Sequence, residues 1–463
     1  MIIDTAVTPE DLLPNIHSFW GLSAQKIDLI RKDYDFAAGA PVYTVDGRYT
    51  SRSWTEWTLG FAFGSSLLQY DAAGDESFLH PAVKSIDEKM KDYLTHTGVH
   101  DHGFNVVSTF GNLLRLLTEE RQGIDPAARP YYETALRCSG ATQASRWTAL
   151  PDGGGYIYSF NGPHSLFADT IRSLRSLAVA HKLGHTLLGE NDTHISLYHR
   201  IVHHVYATSK YNVYFGEGRD GYDIWGRTAH ESIFNLNDGN YRCPSSQQGF
   251  SPFTTWTRGL AWIISGAAEQ LEYAEIVPSS DYPEGIKPDD YRAMLERTAR
   301  AVCDFYIDYT TADGIPFWDT GAPELHKLGD YRQTVSDPHN PHEPVDSSAA
   351  AIAAQGLMRL GRYLQRWGDV TSGSRYFQAG LTALRTLMNE PYLSTESGHQ
   401  GLLLHAVYHR PNGWDHIPEG RSVPCGESCM WGDYHIREAV LYTQRLAEGG
   451  RELRFDTVGG NQS

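Results

Sequence analysis

Apolar residues in this chain recur mainly every three or four positions, the spacing of an α-helix that is buried along one side. In residues 104–120, for example, one such face carries Val107, Phe110, Leu113, Leu114 and Leu117. The same spacing predicts helices at 54–72, 104–120, 164–186, 254–274, 288–310, 346–366, 371–388 and 431–447. Weaker signals fall at 8–31, 76–95, 126–141 and 191–209. The alternation typical of strands is nearly absent outside short pieces such as 156–160.

About twelve helices joined by loops rich in Gly and Pro favour antiparallel helix pairs. One closed arrangement is an (α/α)6 barrel, in which six hairpins place their inner helices around a central pocket. No sequence repeat of fixed period is seen, which disfavours an open solenoid. The prediction is therefore an all-α protein with a single domain over residues 1–448, for which the (α/α)6 barrel is one arrangement, followed by an irregular tail at 449–463.

Composition narrows the possible partners and locations. Of the 463 residues, 41% are hydrophobic, which supports a large core, and no apolar run is long enough to cross a membrane. The N-terminus lacks the basic start and apolar stretch of a signal peptide, so a cytoplasmic protein is expected. The net charge of −17 argues against nucleic acid as a partner, and an anionic substrate needs cations concentrated in a pocket.

Aromatic residues make up 12% of the chain, and many stand beside Gly, Asp or His. Aromatic faces next to polar donors suit sugar rings, although a core rich in aromatic residues explains the composition equally well. The five cysteines are too few for a disulfide scaffold. Free thiols are expected, with a bridge or metal pair at Cys425 and Cys429 as the alternative.

Two acidic residues are candidates for acid–base chemistry. Asp101 stands between His100 and His102 just before a predicted helix, and Asp169 lies near the start of another, opposite its apolar stripe. Each aspartate can instead be an ordinary residue at a helix start, Asp101 as an N-cap and Asp169 as a solvated side chain.

A second candidate site is an arginine between two tryptophans. Arg258 lies between Trp256 and Trp262, so its guanidinium group can bind a carboxylate beside stacking faces, with Gln248 just upstream. The alternative is a structural arginine. His230 can orient a substrate hydroxyl or carboxylate, and the long loop at 311–345 either lines a functional site or is a surface excursion.

Other chemistries lack support in the sequence. The chain has no Walker loop, no His-Glu-x-x-His, no Gly-x-Ser-x-Gly and no dinucleotide fingerprint. The scattered histidines show no spacing typical of zinc ligands, so neither a metal nor an organic cofactor is expected.

Seven segments, in order along most of the chain, resemble motifs of the unsaturated glucuronyl hydrolases, glycoside hydrolase family 88. They are Trp-Thr-Glu at 54–56, His-Asp-x-Gly-Phe at 100–104, Ala-Asp-Thr at 168–170, Trp-x-Arg-Gly-x-Ala-Trp at 256–262, Gly-Ile-Pro-Phe-Trp-Asp at 314–319, Asp-Ser-Ser-Ala-Ala-Ala-Ile-Ala at 346–353 and Glu-Ser-x-x-Trp-Gly-Asp-Tyr at 427–434.

The resemblance implies an (α/α)6 barrel that removes a 4,5-unsaturated uronic acid from the non-reducing end of small anionic oligosaccharides made by polysaccharide lyases. A monomer or homodimer is expected. It implies Asp169 as the general acid/base and Asp101 as its partner, which is expected to raise the pKa of Asp169. Arg258 is expected to bind the uronate carboxylate. The implied substrate-binding residues are Trp54, His100, His230, Gln248, Trp256, Arg258 and Trp262.

Several residues depart from the family pattern and leave the substrate open. Leu260 replaces a glutamine, Gln247 replaces a histidine, and Arg172 and Arg175 are unusual after the catalytic aspartate. Three alternatives therefore remain: action on unsaturated galacturonyl-rhamnose, an α/α-barrel hydrolase or lyase on saturated glycosides, and a non-catalytic sugar-binding barrel.

Overall fold

The computed structural model describes residues 1–52 and 56–459 and contains fourteen α-helices in that part of the chain. They are α1 (Leu13–Asp33), α2 (Leu59–Ala73), α3 (Glu76–Lys89), α4 (His102–Val106), α5 (Asn112–Thr118), α6 (Arg129–Ser145), α7 (Thr170–Ser173), α8 (Arg175–Lys182), α9 (Leu197–Tyr211), α10 (Thr257–Ala274), α11 (Pro288–Tyr309), α12 (Ser347–Arg366), α13 (Val370–Leu387) and α14 (Met430–Ala447). A single π-helical turn, Val107–Gly111, joins α4 to α5.

The helices form a closed double ring, which confirms the predicted (α/α)6 barrel. Neighbouring inner helices contact one another in the order α2, α4, α7, α10, α12 and α14, and α14 returns to α2. The outer helices α1, α3, α6, α9, α11 and α13 each pack on this ring. Every residue of α10 is buried, as expected for a helix that is covered on all sides.

Nine short strands accompany the helices within residues 1–52 and 56–459: β1 (Tyr43–Val45), β2 (Arg48–Thr50), β3 (Trp147–Ala149), β4 (Gly155–Ile157), β5 (Ser165–Phe167), β6 (Leu187–Leu188), β7 (His194–Ile195), β8 (Glu231–Phe234) and β9 (Tyr241–Ser245). They pair antiparallel, and β5, β8 and β9 form a three-stranded sheet with β8 in the middle. The helix predicted over 164–186 is wrong at its start, because 165–167 is a strand. Strands of two to five residues are too short to show an alternating pattern.

One hydrophobic cluster contains buried residues from Val7 to Val458. The tail at 449–459 has no helix or strand, but Leu453, Phe455 and Val458 are buried in this cluster. The division into a barrel domain over 1–448 and a tail stays a prediction. All five cysteines are free, as expected. Within the described residues, no helix combines the length and apolar character that a membrane crossing requires.

Candidate active site

A cavity at one end of the barrel brings together most of the residues that the sequence singles out. His100, Asp101, Asp169, Gln248, Trp256, Arg258 and Trp262 all line it. His230 packs against Trp256, with ring centroids 4.5 Å apart, and lies beside this wall. Trp54 is outside the described residues, so its predicted place in the pocket wall stays a prediction.

The two aspartates occupy equivalent positions at the starts of inner helices. Asp101 is the N-cap residue of α4 and Asp169 is the N-cap residue of α7, and neither carboxylate caps its own helix. Both side chains are therefore free to face the cavity, where the positive end of each helix dipole favours negative charge. Asp169 Oδ1 is buried and has no hydrogen-bond partner within the described part of the chain.

Close backbone packing holds the two helix starts together. A Cβ atom added to Gly103 would lie 2.1 Å from the carbonyl oxygen of Ser173, so only glycine fits there. The Ser173 hydroxyl accepts from Gly103 N at 3.0 Å and donates to His100 O at 2.6 Å. These bonds fix the segment that carries Asp101 against the segment that carries Asp169.

His100 lies between the carboxylates and sets their protonation. Its Nε2 is 3.8 Å from Asp101 Oδ1 and 3.6 Å from Asp169 Oδ2. Burial opposes a charge on His100, but the two carboxylates outweigh it and raise the pKa of the imidazole. Burial raises the pKa of Asp101. Burial acts in the same direction on Asp169, yet the charge of His100 and its hydrogen bond outweigh it and lower the pKa of Asp169.

The expected rise in the pKa of Asp169 is not found: its pKa is lowered, because His100 outweighs burial and the neighbouring carboxylate of Asp101. The sequence argument considered two carboxylates, whereas the structure places a cation-forming imidazole next to both. A protonated imidazole at this distance favours the carboxylate form of Asp169 over the neutral acid.

The same three side chains are the described residues best placed to hold a metal ion. One ligand atom from each of His100, Asp101 and Asp169 lies within 4.8 Å of the other two, and all three residues are buried. A second such group, Asp46, His416 and Glu427, includes an exposed aspartate. One imidazole and two carboxylates are ligand types that zinc accepts.

His230 is held as a neutral ring with a defined tautomer. Burial lowers the pKa of His230 to about 4. Its Nδ1 accepts from the backbone N–H groups of Gln247 and Gln248, at 3.1 and 3.3 Å, so the ring proton is on Nε2. Nε2 is buried without a partner among the described residues, which leaves one N–H donor unused at this wall.

Arg258 has protein partners at both terminal nitrogens, and its expected role in binding the uronate carboxylate stays a prediction. Nη1 donates to Asp346 Oδ2 at 2.9 Å and to the carbonyl oxygen of Val407. Nη2 donates to Gln248 Oε1 at 2.9 Å and to the carbonyl oxygen of Tyr408 at 2.7 Å. The two-point bond to a uronate carboxylate is not available in this arrangement, since each terminal nitrogen has two hydrogens. The structural alternative fits better.

We expect Arg258→Ala to destabilise the fold by about 3–5 kcal/mol, because it leaves the carboxylate of Asp346 buried without its counter-charge. The double variant R258A/D346N removes that charge and is expected to recover part of the loss. Urea unfolding of the parent and both variants measures this. Equal stability of R258A and the parent would show that the pair has no structural role.

Aromatic side chains make up much of the cavity wall, and the sequence pattern missed several of them. Tyr408, His409 and Trp414 belong to the segment between α13 and α14, where no helical periodicity marks them. Phe160 follows β4, and Trp57 precedes α2. Phe104 also lines the cavity. Trp57 stands directly after the motif at 54–56 and Phe104 ends the motif at 100–104, and this proximity is the one sequence signal that could have identified them.

The departures from the family pattern lie mainly outside the cavity wall. Arg172 and Arg175 are fully buried with Glu269 and Glu438: Arg172 contacts both glutamates, and Arg175 Nη1 is 3.4 Å from Glu438 Oε1. Burial opposes ionisation, but the two arginines lower the pKa of Glu438 to about 2. The four charges cancel inside the barrel, which is the condition for burying them.

Known proteins similar to this chain carry the family name that the sequence motifs suggested. No family model matches the chain. The chain is 26% identical over 395 residues to an unsaturated glucuronyl hydrolase from Formosa agariphila. The aligned region covers 84% of this chain and 80% of the relative. It is 24% identical over 410 residues to an unsaturated glucuronyl hydrolase from Bacillus sp. (strain GL1). This aligned region covers 87% of this chain and 90% of the relative.

A crystal structure described as an unsaturated glucuronyl hydrolase specific for heparin superposes with a TM-score of 0.71 at 18% identity, over 95% of this chain and 99% of that one. At this identity the superposition supports the fold. The resemblance read from the sequence motifs is confirmed: in sequence and in fold, this chain is similar to proteins named unsaturated glucuronyl hydrolase.

Proposed function

We propose that the protein is a glycoside hydrolase that removes a 4,5-unsaturated uronic acid from the non-reducing end of oligosaccharides produced by polysaccharide lyases. The observation that carries this proposal is the buried group of His100, Asp101 and Asp169 at the end of a cavity with aromatic walls. The curated relatives named above support the substrate class.

The reaction starts at a vinyl ether, so its demanding step is the protonation of carbon. Asp169 gives a proton to C4 of the C4=C5 double bond, and an oxocarbenium-like centre develops at C5. The Asp169 carboxylate then takes a proton from water, which adds to C5. The resulting hemiketal opens and releases the sugar that was attached. The step is a hydration, so the separation of the two carboxylates does not report retention or inversion.

The proton for this step comes from the three-residue group. His100 Nε2 faces both carboxylates, so a proton can move from the imidazolium to Asp169. Once His100 is neutral, burial and the negative charge of Asp101 both favour the neutral acid at Asp169. This supplies a protonated Asp169 although His100 lowers its pKa in the resting site.

The cavity suits a sugar for a second reason. Trp256, Trp262 and Trp414 offer flat apolar faces, and Gln248 offers an amide at the wall. Stacking on aromatic faces with hydrogen bonds at the rim is the usual mode of sugar binding. A non-catalytic sugar-binding barrel has no need for two carboxylates buried beside an imidazole. The cytoplasmic location and the monomeric or homodimeric state stay predictions of the sequence.

The test is a panel of unsaturated disaccharides from chondroitin, hyaluronan, heparin, gellan, ulvan and rhamnogalacturonan. The signal is the loss of the ultraviolet absorbance of the C4=C5 bond. We expect this absorbance to disappear with unsaturated glucuronyl substrates. Activity confined to rhamnogalacturonan products would support the galacturonyl-rhamnose alternative, and cleavage of saturated oligosaccharides alone would contradict the proposal.

A further inference from the structure

A buried aspartate outside the cavity wall contacts the segment that carries two residues of the site. Asp319 has no exposed surface and lies in the long loop between α11 and α12. Its backbone pairs with Trp256 in an antiparallel bridge. The loop therefore does reach the site, although its residues are not among those that line the cavity.

The carboxylate of Asp319 is shared between two backbone donors. Oδ2 accepts from Phe250 N at 2.8 Å, and Oδ1 accepts from Gly321 N at 2.9 Å. The first bond holds the segment 246–250, and the second keeps the carboxylate in its own loop. Because each oxygen is committed to a different N–H group, a side chain with only one acceptor oxygen cannot replace both bonds.

Tight packing shows that this contact is built into the segment. A Cβ atom on Gly249 would lie 2.9 Å from Asp319 Oδ2 and 2.6 Å from Ser246 Oγ. Gly249 also donates its N–H to Ser246 Oγ at 3.0 Å. The absence of a side chain at position 249 leaves room for the segment to approach the carboxylate this closely.

The segment in turn fixes two groups of the site. The N–H groups of Gln247 and Gln248 bond to His230 Nδ1 and leave the ring proton on Nε2. The side chain of Gln248 lines the cavity and accepts from Arg258. Displacement of the segment would change both the tautomer of His230 and the position of the Gln248 amide.

We infer that Asp319 is a positioning residue for substrate binding: its carboxylate holds the segment 246–250, and this segment orients His230 and Gln248. The inference rests on the proposed function of the cavity. Asp319 acts through the segment and touches no substrate itself.

If Asp319 positions the segment, substrate binding should depend on the protonation of its carboxylate. A residue that only stabilises the fold would not give this pH dependence. Burial raises the pKa of Asp319 to about 6. The N–H groups of Gly321 and Phe250 and a hydrogen bond with the Thr254 side chain oppose this shift, and the negative charge of Glu343 in the same loop adds to it. Below that pH one oxygen becomes an O–H donor, so one of the two bonds to a backbone N–H is lost. Substrate binding is then expected to weaken as the pH falls through about 6.

The experiment compares the parent with D319N and a matched control, D313N, between pH 5 and pH 8 (roughly one pH unit on the acid side of the Asp319 pKa and two on the other). Asp313 belongs to the same loop, accepts from Ser336 N at 3.0 Å and does not line the cavity. At high pH we expect D319N to raise KM about tenfold, the value of one charge-assisted hydrogen bond, with a smaller change in kcat. At low pH the KM values of D319N and the parent should converge.

A second measurement needs no substrate. Amide hydrogen exchange at 246–250 should be faster in D319N than in the parent and D313N at high pH. Unchanged exchange in D319N, or a KM ratio that is the same at all pH values, would overturn the inference. If the parent consumes no unsaturated disaccharide, the proposed function fails, and the exchange result alone decides whether Asp319 holds the segment.

Discussion

Asp169→Asn is expected to lower kcat on an unsaturated disaccharide by about 10²–10⁴-fold, the usual contribution of a general acid. The amide keeps the size of the side chain but cannot give a proton to C4 or accept one from water. Asp169 makes no capping bond to its helix, so the fold should be unaffected. Loss of the ultraviolet absorbance of the double bond measures turnover, and circular dichroism checks the fold.

Asp75→Asn is the matched control for this substitution. Asp75 is also an N-cap residue, at the start of α3, and its side chain accepts from Ser77 N. Asparagine is an equally good N-cap, so this variant should keep the parent kcat and stability. Turnover by D169N at a rate near that of the parent would remove Asp169 from the role of proton donor.

Gly103→Ala is expected to destabilise the protein by about 1–3 kcal/mol or more, as overpacking of a dense interior does. The added methyl group would meet the carbonyl oxygen of Ser173 at 2.1 Å, and backbone cannot move aside as a flexible side chain can. The same displacement would separate Asp101 from Asp169, so kcat should fall together with stability.

Gly21→Ala provides the comparison. Gly21 lies in α1, and an added Cβ atom has no neighbour within 4 Å in the described structure. Alanine is a better helix former than glycine, so this variant should be up to about 1 kcal/mol more stable than the parent. Thermal unfolding and kcat are measured for both variants. If G103A matched G21A in stability, the contact between α4 and α7 would not constrain the site.

The repeated spacing of apolar residues was enough to predict an all-α protein of paired helices, and the family resemblance pointed to the barrel. Helices such as α10 and α12 are long, and their apolar positions are regular, so their periodicity is visible without any tertiary information. The short strand β5 was missed because tertiary pairing with β8 determines three residues that carry no local pattern. Asp169 lies two residues after the end of this strand, so the wrong prediction fell next to the site.

The residue types of the site could be predicted, but their interactions could not. Arg258 was expected to face a substrate carboxylate, and its partner Asp346 lies 88 residues away in the sequence. The pKa of Asp169 depends on the distance from His100, which only the fold determines. Spacing along a chain identifies candidates for chemistry, whereas charge balance depends on residues that are remote in sequence.

The contact between α14 and α2 has a consequence for biosynthesis. Until residues 430–447 have left the ribosome, a nascent chain can place only five of the six inner helices, and the ring stays open beside α2. Contacts between segments this distant in sequence form slowly, since both α2 and α14 must be available before they can pack together. The protein is therefore expected to gain its proposed activity only after residues 430–447 have left the ribosome, and removal of α14 should abolish that activity even though α14 supplies neither aspartate.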